Sequence, residues 1–271
     1  FLDLFDVFDI KATLFVVGMD LRIPSRAKLI NDARARGHEI ANHSLSHAEG
    51  FSFKTASQKE HEIAESEKII EAETGIKPAG FRTPSNDVDG ETLKILEDRG
   101  YMYDSSLMPT FYGPLIRMLK FSQLSVNRKD RYLGRPVYGL APLKPYNPDP
   151  ETIYRPGTMR IVEVPITTVP LIRIPFHTSF VLAAAHFGFG TLLFDIGFFI
   201  LTLFGTPYNF VFHTNEMADS INVPDLSRQF GLTLALEKKR AICHHVLRKI
   251  VDKYECVTTQ DFIQRCREQT D

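Results

Sequence analysis

Tryptophan is missing from this 271-residue chain, and no two aspartates stand side by side anywhere in it. Cysteine occurs only three times, at Cys243, Cys256 and Cys266, near the C-terminus and without metal-type spacing. An odd number excludes a full disulfide framework, and reduced thiols are the simpler reading. Neither sign of charge is in excess, with 32 basic against 33 acidic residues, so nothing points to a nucleic-acid partner. No signal peptide is visible. What remains is an ordinary globular composition, 44% hydrophobic and 24% charged, whose aromatic content rests on 21 Phe and 9 Tyr. The length suits one α/β barrel or two small domains.

Strand and helix signals alternate through the first hundred residues. Phe1–Phe8 reads as an amphipathic helix and Ala12–Val17 as a short apolar strand. Ser25 is expected to cap a helix over Arg26–Arg36, with Leu29, Ile30 and Ala33 on one face and Gly37 as its stop. His38–Ala41 reads as the next strand. Ser57-Gln58-Lys59-Glu60 reads as a capping box opening a helix to about Thr74, closed by Gly75. Ala79–Arg82 is strand-like, Asp89 or Gly90 opens a helix through Asp98, and Tyr101–Asp104 is a further strand. This alternation implies parallel strands joined by crossovers, with site residues at the strands' C-terminal ends. His43, Arg82, Asp104 and His213 are all expected at such ends.

Three pieces carry chemistry. Glu39-Ile40-Ala41-Asn42-His43-Ser44-Leu45-Ser46-His47 places two imidazoles four residues apart, able to reach one ion across a single turn. A surface turn with two unrelated histidines is the other reading of that spacing. Gly80-Phe81-Arg82-Thr83-Pro84-Ser85 follows, and Phe210-Val211-Phe212-His213 lies far downstream at the end of a β-like run. In this order they resemble the polysaccharide deacetylase (NodB-homology) family of carbohydrate esterases. That family has a His-Ser-x-x-His metal motif, an Arg-x-Pro motif and a late strand ending in a catalytic histidine. Lys11–Gly18 and Gly37–His43 also look like family segments. The resemblance is strong over residues 1–110 and returns near His213.

The resemblance implies an α/β fold, a distorted (β/α) barrel, over a single domain of residues 1–271. It implies a metal-dependent hydrolase removing an acetyl or formyl group from an amino sugar. His43 and His47 would be metal ligands, with zinc the first choice of divalent ion. His213 would be the general acid, and Arg82 would orient an aspartate base. Asp104 would hold a neighbouring site residue such as His213, or else cap a turn at Ser105-Ser106. Ser85 stands where many relatives carry an aromatic residue. The family's opening strand ends in paired aspartates, which this sequence does not contain. A truncated N-terminus, with the first strand missing and the fragment nearly inactive, is therefore expected. A noncatalytic member that binds a glycan or lipid carrier is the rival reading.

Two stretches break the pattern. Residues 105–178 hold eleven of the prolines and read as a long irregular insertion with a strand at Met159–Pro165. Phe180–Leu203 has His186 and Asp195 as its only ionisable groups. Its length passes the threshold for a membrane span. A single crossing would separate His213 from His43 and His47, so the segment is expected to lie on a membrane surface or pack against the fold, as one helix or as two shorter ones broken near Gly188, Gly190 and Gly197. Gly205-Thr206-Pro207, His213 and Glu216 further resemble deformylases of lipid-linked aminoarabinose. A lipid-linked sugar and a cytoplasmic or peripheral cytoplasmic-membrane location follow as expectations. Leu234–Tyr254 reads as an amphipathic helix, Glu255–Val257 as a last strand, and Thr259 as the cap of a helix to about Arg267.

Overall fold

The computed structural model describes residues 1–123, 135–218 and 231–268. These form two compact units, each drawn from three stretches of chain. One contains Ile10–Leu107, Pro145–Pro165 and the chain from Cys256; the other contains Phe1–Asp9 and the described parts of Met108–Lys144 and Ile166–Glu255.

The first of these, the sheet unit, is built on five parallel strands in sequential order: β1 Thr13–Val16, β2 Glu39–Asn42, β3 Gly80–Phe81, β4 Tyr103–Asp104 and β5 Val162–Glu163. Helices α2 Pro24–Ala35, α3 Ala56–Thr74 and α4 Gly90–Asp98 fill the first three connections. All-parallel strands with intervening helices define the α/β class expected from the sequence. The link from β4 to β5 leaves the unit at Met108 and returns at Pro145. The Pro-rich stretch is thus divided, its later part supplying a sheet strand.

Local chemistry moves several boundaries. The capping box lies two residues earlier than expected: Thr55 Oγ1 accepts from Gln58 N, and Thr55 N donates to the Gln58 side chain. Gly75, with φ of 71°, closes the helix as anticipated. Ser25 does not cap α2, because Pro24 takes the first helical position, where a missing N–H costs nothing. Leu29 is exposed, and the helix instead buries Ala27 and Ala33. Glu255–Val257 forms no strand. The cap of the last helix, α9 Thr259–Glu268, is Thr258, whose Oγ1 accepts from Asp261 N.

One core cluster joins Val16 and Ile40 of the sheet to Leu21, Ala27 and Ile70. Another packs Tyr103 and Val164 against Ile263 of α9. Two buried charged side chains are tied into the unit by several bonds. Lys59, almost fully enclosed, donates to Asp89 and Glu91 at 2.7 Å each, tying α3 to the start of α4. Glu39 accepts from Thr13, Tyr103 and the Gln260 amide.

The other unit is helical: α1 Leu2–Val7, α5 Gly113–Gln123, the pair α6 Thr178–His186 and α7 Gly190–Leu203, and α8 Leu236–Val251. The apolar segment is therefore two helices, and among the described residues no helix is long and apolar enough to cross a membrane. The phenylalanines make a connected set of rings: Phe1 and Phe5 meet Phe212, which meets Phe210, and Phe210 reaches Tyr208, Phe176 and Phe194. Gly197 permits one of these contacts, since a Cβ there would lie 2.4 Å from the Phe176 ring. Asp195 accepts from His245 of α8 at 2.9 Å.

Gly80 admits the closest approach in the sheet. A Cβ at this position would lie 1.9 Å from Cζ of Tyr103, itself hydrogen-bonded to Glu39. Gly80→Ala must displace a buried ring, and chemical denaturation is expected to show a loss of about 1–3 kcal/mol or more. A loss below about 0.5 kcal/mol would show that the ring has room to move.

Candidate functional site at the C-terminal edge of the sheet

Strand register sets the site. Val16 pairs with Asn42, Asn42 with Phe81, Phe81 with Asp104 and Asp104 with Glu163. The ladder runs one residue further: His43 N donates to Val16 O, Arg82 N to Asn42 O, Ser105 N to Phe81 O and Val164 N to Asp104 O. His43, Arg82, Ser105 and Val164 thus stand side by side just past four adjacent strands.

The two histidines come together. Their rings lie edge-on, 5.0 Å between centroids. His43 Nδ1 lies 2.7 Å from the Arg82 carbonyl oxygen. A carbonyl only accepts, so Nδ1 carries the proton and Nε2 is the nitrogen that can take a metal. This is the support that metal-binding imidazoles usually have. The turn carrying them is strongly constrained. Ser44 and His47 adopt positive φ, 66° and 55°, a conformation non-glycine residues adopt at a cost. Asn42 Oδ1 accepts from Ser44 N, Ser44 Oγ accepts from His47 N, and Glu62 accepts from the Leu45 and Ser46 amides and the Ser46 hydroxyl. Among the described residues no group of three His, Cys, Asp or Glu side chains is placed to hold a metal ion. The two imidazoles fit a metal as a pair of nitrogen ligands with one tautomer fixed.

Arg82 is buried behind the pair. Its Nε and Nη2 donate to Ser105 O and Oγ, both at 2.7 Å, and its guanidinium lies over the Phe15 ring, 4.1 Å from the centroid. Burial pulls it down to about 10, opposed by Tyr103, Asp104 and Glu163. Asp104 follows the turn-capping reading, accepting from Ser106 N at 3.1 Å and Ser106 Oγ at 2.7 Å. Burial raises its carboxyl above the ordinary value. Glu163, at the end of β5, is raised well above 4.5, first by burial and then by Asp104 beside it. Glu163 Oε1 accepts from the Leu107 amide at 2.9 Å, and burial beside Asp104 favours the neutral carboxyl. Sequence reading missed Glu163, since only the register of β5 places it beside Asp104. Ser85 donates to Glu49 at 2.6 Å.

His213 belongs to the helical unit. The run Phe210–Phe212 before it is extended but not a strand, and two main-chain bonds hold this stretch, Thr178 N to Val211 O and Thr167 N to Asn209 O. The placement of His213 at the end of a sheet strand is thus corrected: the described sheet ends with β5. His213 Nδ1 lies 3.0 Å from Glu216 Oε1. His38 is packed, its Nδ1 accepting from Ala12 N.

Residues 1–103 match the polysaccharide deacetylase family model. This chain is 33% identical over 114 residues to a peptidoglycan deacetylase of Helicobacter pylori, covering 42% of this chain and 38% of that protein. It therefore spans well under half the length of that relative. A crystal structure from Mycobacterium smegmatis, assigned to the polysaccharide deacetylases, superposes with a TM-score of 0.56 at 18% identity, covering 99% of this chain and 76% of the other. The Puue allantoinase follows with a TM-score of 0.52 at 16% identity, covering 97% and 69%. These two likenesses concern the fold. Residues 1–103, the part that matches the polysaccharide deacetylase model, carry the histidine pair and Arg82.

The buried carboxyl pair has a pH signature. An unfolded glutamate loses its proton around 4.5, whereas folded Glu163 keeps it to higher pH. Above 4.5 the folded state binds more protons, so this group's contribution to stability falls as pH rises, by at most about 1.4 kcal/mol per pH unit, until the folded-state value is passed. Denaturation from pH 4.5 upward is expected to show a less steep decline for Glu163→Gln than for the parent. Parallel curves would show that Glu163 ionises normally.

Proposed function

We propose that this chain is a metal-dependent N-deacylase acting on an N-acyl amino sugar. The carrying observation is the convergence of His43 and His47 beyond β2, with His43 Nδ1 fixed by the Arg82 carbonyl. The family match and the peptidoglycan deacetylase relative support the same substrate class. His43 and His47 would hold a divalent ion, with zinc the first choice for imidazole donors. Such an ion supplies a bound water of lowered pKa and polarises the acyl oxygen. Arg82 keeps the edge in register by clamping Ser105, and its carbonyl orients His43. His213 is assigned the role of general acid, giving a proton to the leaving amine.

The rival reading is a noncatalytic glycan binder of the same fold. It is favoured by the lack, among the described residues, of a third metal-type ligand beside the two imidazoles. For the same reason slow turnover is expected of this chain.

A lipid-linked substrate and peripheral membrane contact are the finer proposals. Leu192, Ile196, Phe199 and Leu203 recur at three- and four-residue intervals on α7 and are 52–71% exposed. Such a stripe suits the boundary of one leaflet. Sedimentation with phosphatidylcholine vesicles is expected to recover the protein with the lipid, and Ile196→Asp combined with Phe199→Asp to release it. Equal partitioning of the two forms would remove the membrane from the proposal.

The site itself is tested by cobalt(II) or zinc titration. The parent is expected to bind one ion, and His43→Ala and His47→Ala to bind at least about tenfold more weakly. Unchanged affinity would overturn the metal assignment. Metal-loaded protein is then incubated with N-acetyl and N-formyl amino-sugar oligomers. Release of acetate or formate, lowered about 100-fold in His213→Ala, supports the enzyme. Glycan binding without release supports the rival reading.

A further inference from the structure

We infer that Glu216, with Ser179, is the positioning apparatus of His213: a buried carboxylate that fixes the proton on Nδ1 and aims Nε2 outward. This inference rests on the general-acid role proposed above for His213. The histidine side chain is 54% exposed, whereas that of Glu216 is 2% exposed. A carboxylate so enclosed must have its lone pairs met. Three donors meet them. His213 N donates to Oε2 at 3.0 Å, the His213 ring nitrogen Nδ1 lies 3.0 Å from Oε1, and the Ser179 hydroxyl donates to the same Oε1. Ser179 Oγ is also 3.1 Å from His213 Nδ1.

The chemistry follows from what each atom can do. A carboxylate has no proton to give, so the ring must donate from Nδ1. The neutral imidazole then presents its lone pair at Nε2, and the cation presents a proton there, with its charge stabilised by the carboxylate behind it. An imidazole that transfers its proton through Nε2 needs that tautomer. The arrangement is not that of a serine nucleophile, because Ser179 sits on the same nitrogen as Glu216 rather than on Nε2. Nor is Glu216 only a helix cap. Capping the turn Thr214–Met217 needs only Oε2, which accepts from the His213 amide, and leaves Oε1 to engage the ring and Ser179. α6 supplies Ser179, one residue past Thr178, whose amide is held by the Val211 carbonyl.

The test separates positioning from capping. Protein labelled with 15N-histidine reports the tautomer of His213 directly, with His213→Ala identifying the signals. The parent is expected to show the Nδ1–H form when neutral. Glu216→Leu is expected to give a mixture of tautomers and to lower kcat about 10–100-fold with KM little changed. Glu216→Asp should restore the Nδ1–H form in part, and Ser179→Ala should shift the tautomer less than Glu216→Leu. A tautomer unchanged in Glu216→Leu would overturn the inference, since a cap alone has no hold on the ring. If instead the tautomer responds to Glu216 while His213→Ala leaves turnover intact, the general-acid reading fails and the positioning pair stands.

Discussion

Everything at the candidate site depends on the register of the parallel ladder and on its continuing one residue past the strands. β3 and β4 are only two residues long, so their own side chains could define little. The amides of His43, Arg82, Ser105 and Val164 nevertheless keep donating to the preceding strand. That places the imidazole, the guanidinium and the serine in one row, and gives the Arg82 carbonyl to His43. A slip of one residue would turn each of these side chains to the opposite face.

Behind that row, burial decides the electrostatics. A guanidinium taken out of water needs a counter-charge and full hydrogen bonding. Arg82 receives two acceptors from Ser105 and an aromatic face from Phe15. Asp104 and Glu163 are the carboxyl groups that oppose the fall in its pKa, and burial raises both of them. Two full negative charges side by side in so enclosed a place repel, which is why Asp104 adds to the rise at Glu163. In the histidine turn, the strain at Ser44 and His47 is held by Asn42 and Glu62.

The helical unit solves a different problem. Its rings pack on one another through Phe176, Phe194, Phe210 and Phe212. α7 buries Phe194 and Leu201 while leaving Leu192, Phe199 and Leu203 outside. A helix apolar all round has no solvent face of its own. Its one acidic residue, Asp195, is turned to His245 on α8 and gives the outer stripe no charge.

Much of this was legible in the amino-acid order, and the physical reason is range. Elements and motifs specified within a few residues were read correctly. The alternation of short strands and capped helices, the closure by Gly75, the start at Asp89 and the pairing of His43 with His47 all follow from neighbours along the chain. Errors entered where two local signals competed, as when Thr55 won the cap expected at Ser57 and Pro24 displaced Ser25. What lay beyond the sequence was set by contacts between distant segments. The partner of Asp104 is Glu163, fifty-nine residues on, because β5 returns beside β4. The run before His213 has the composition of a strand yet takes no place in the described sheet, since strand formation requires a free edge in register and not only β-branched and aromatic residues. The sequence alone determined the fold class and the closeness of His43 to His47; the tertiary structure decided which carboxyl groups burial perturbs and which one meets His213, because both depend on contacts that no local pattern records.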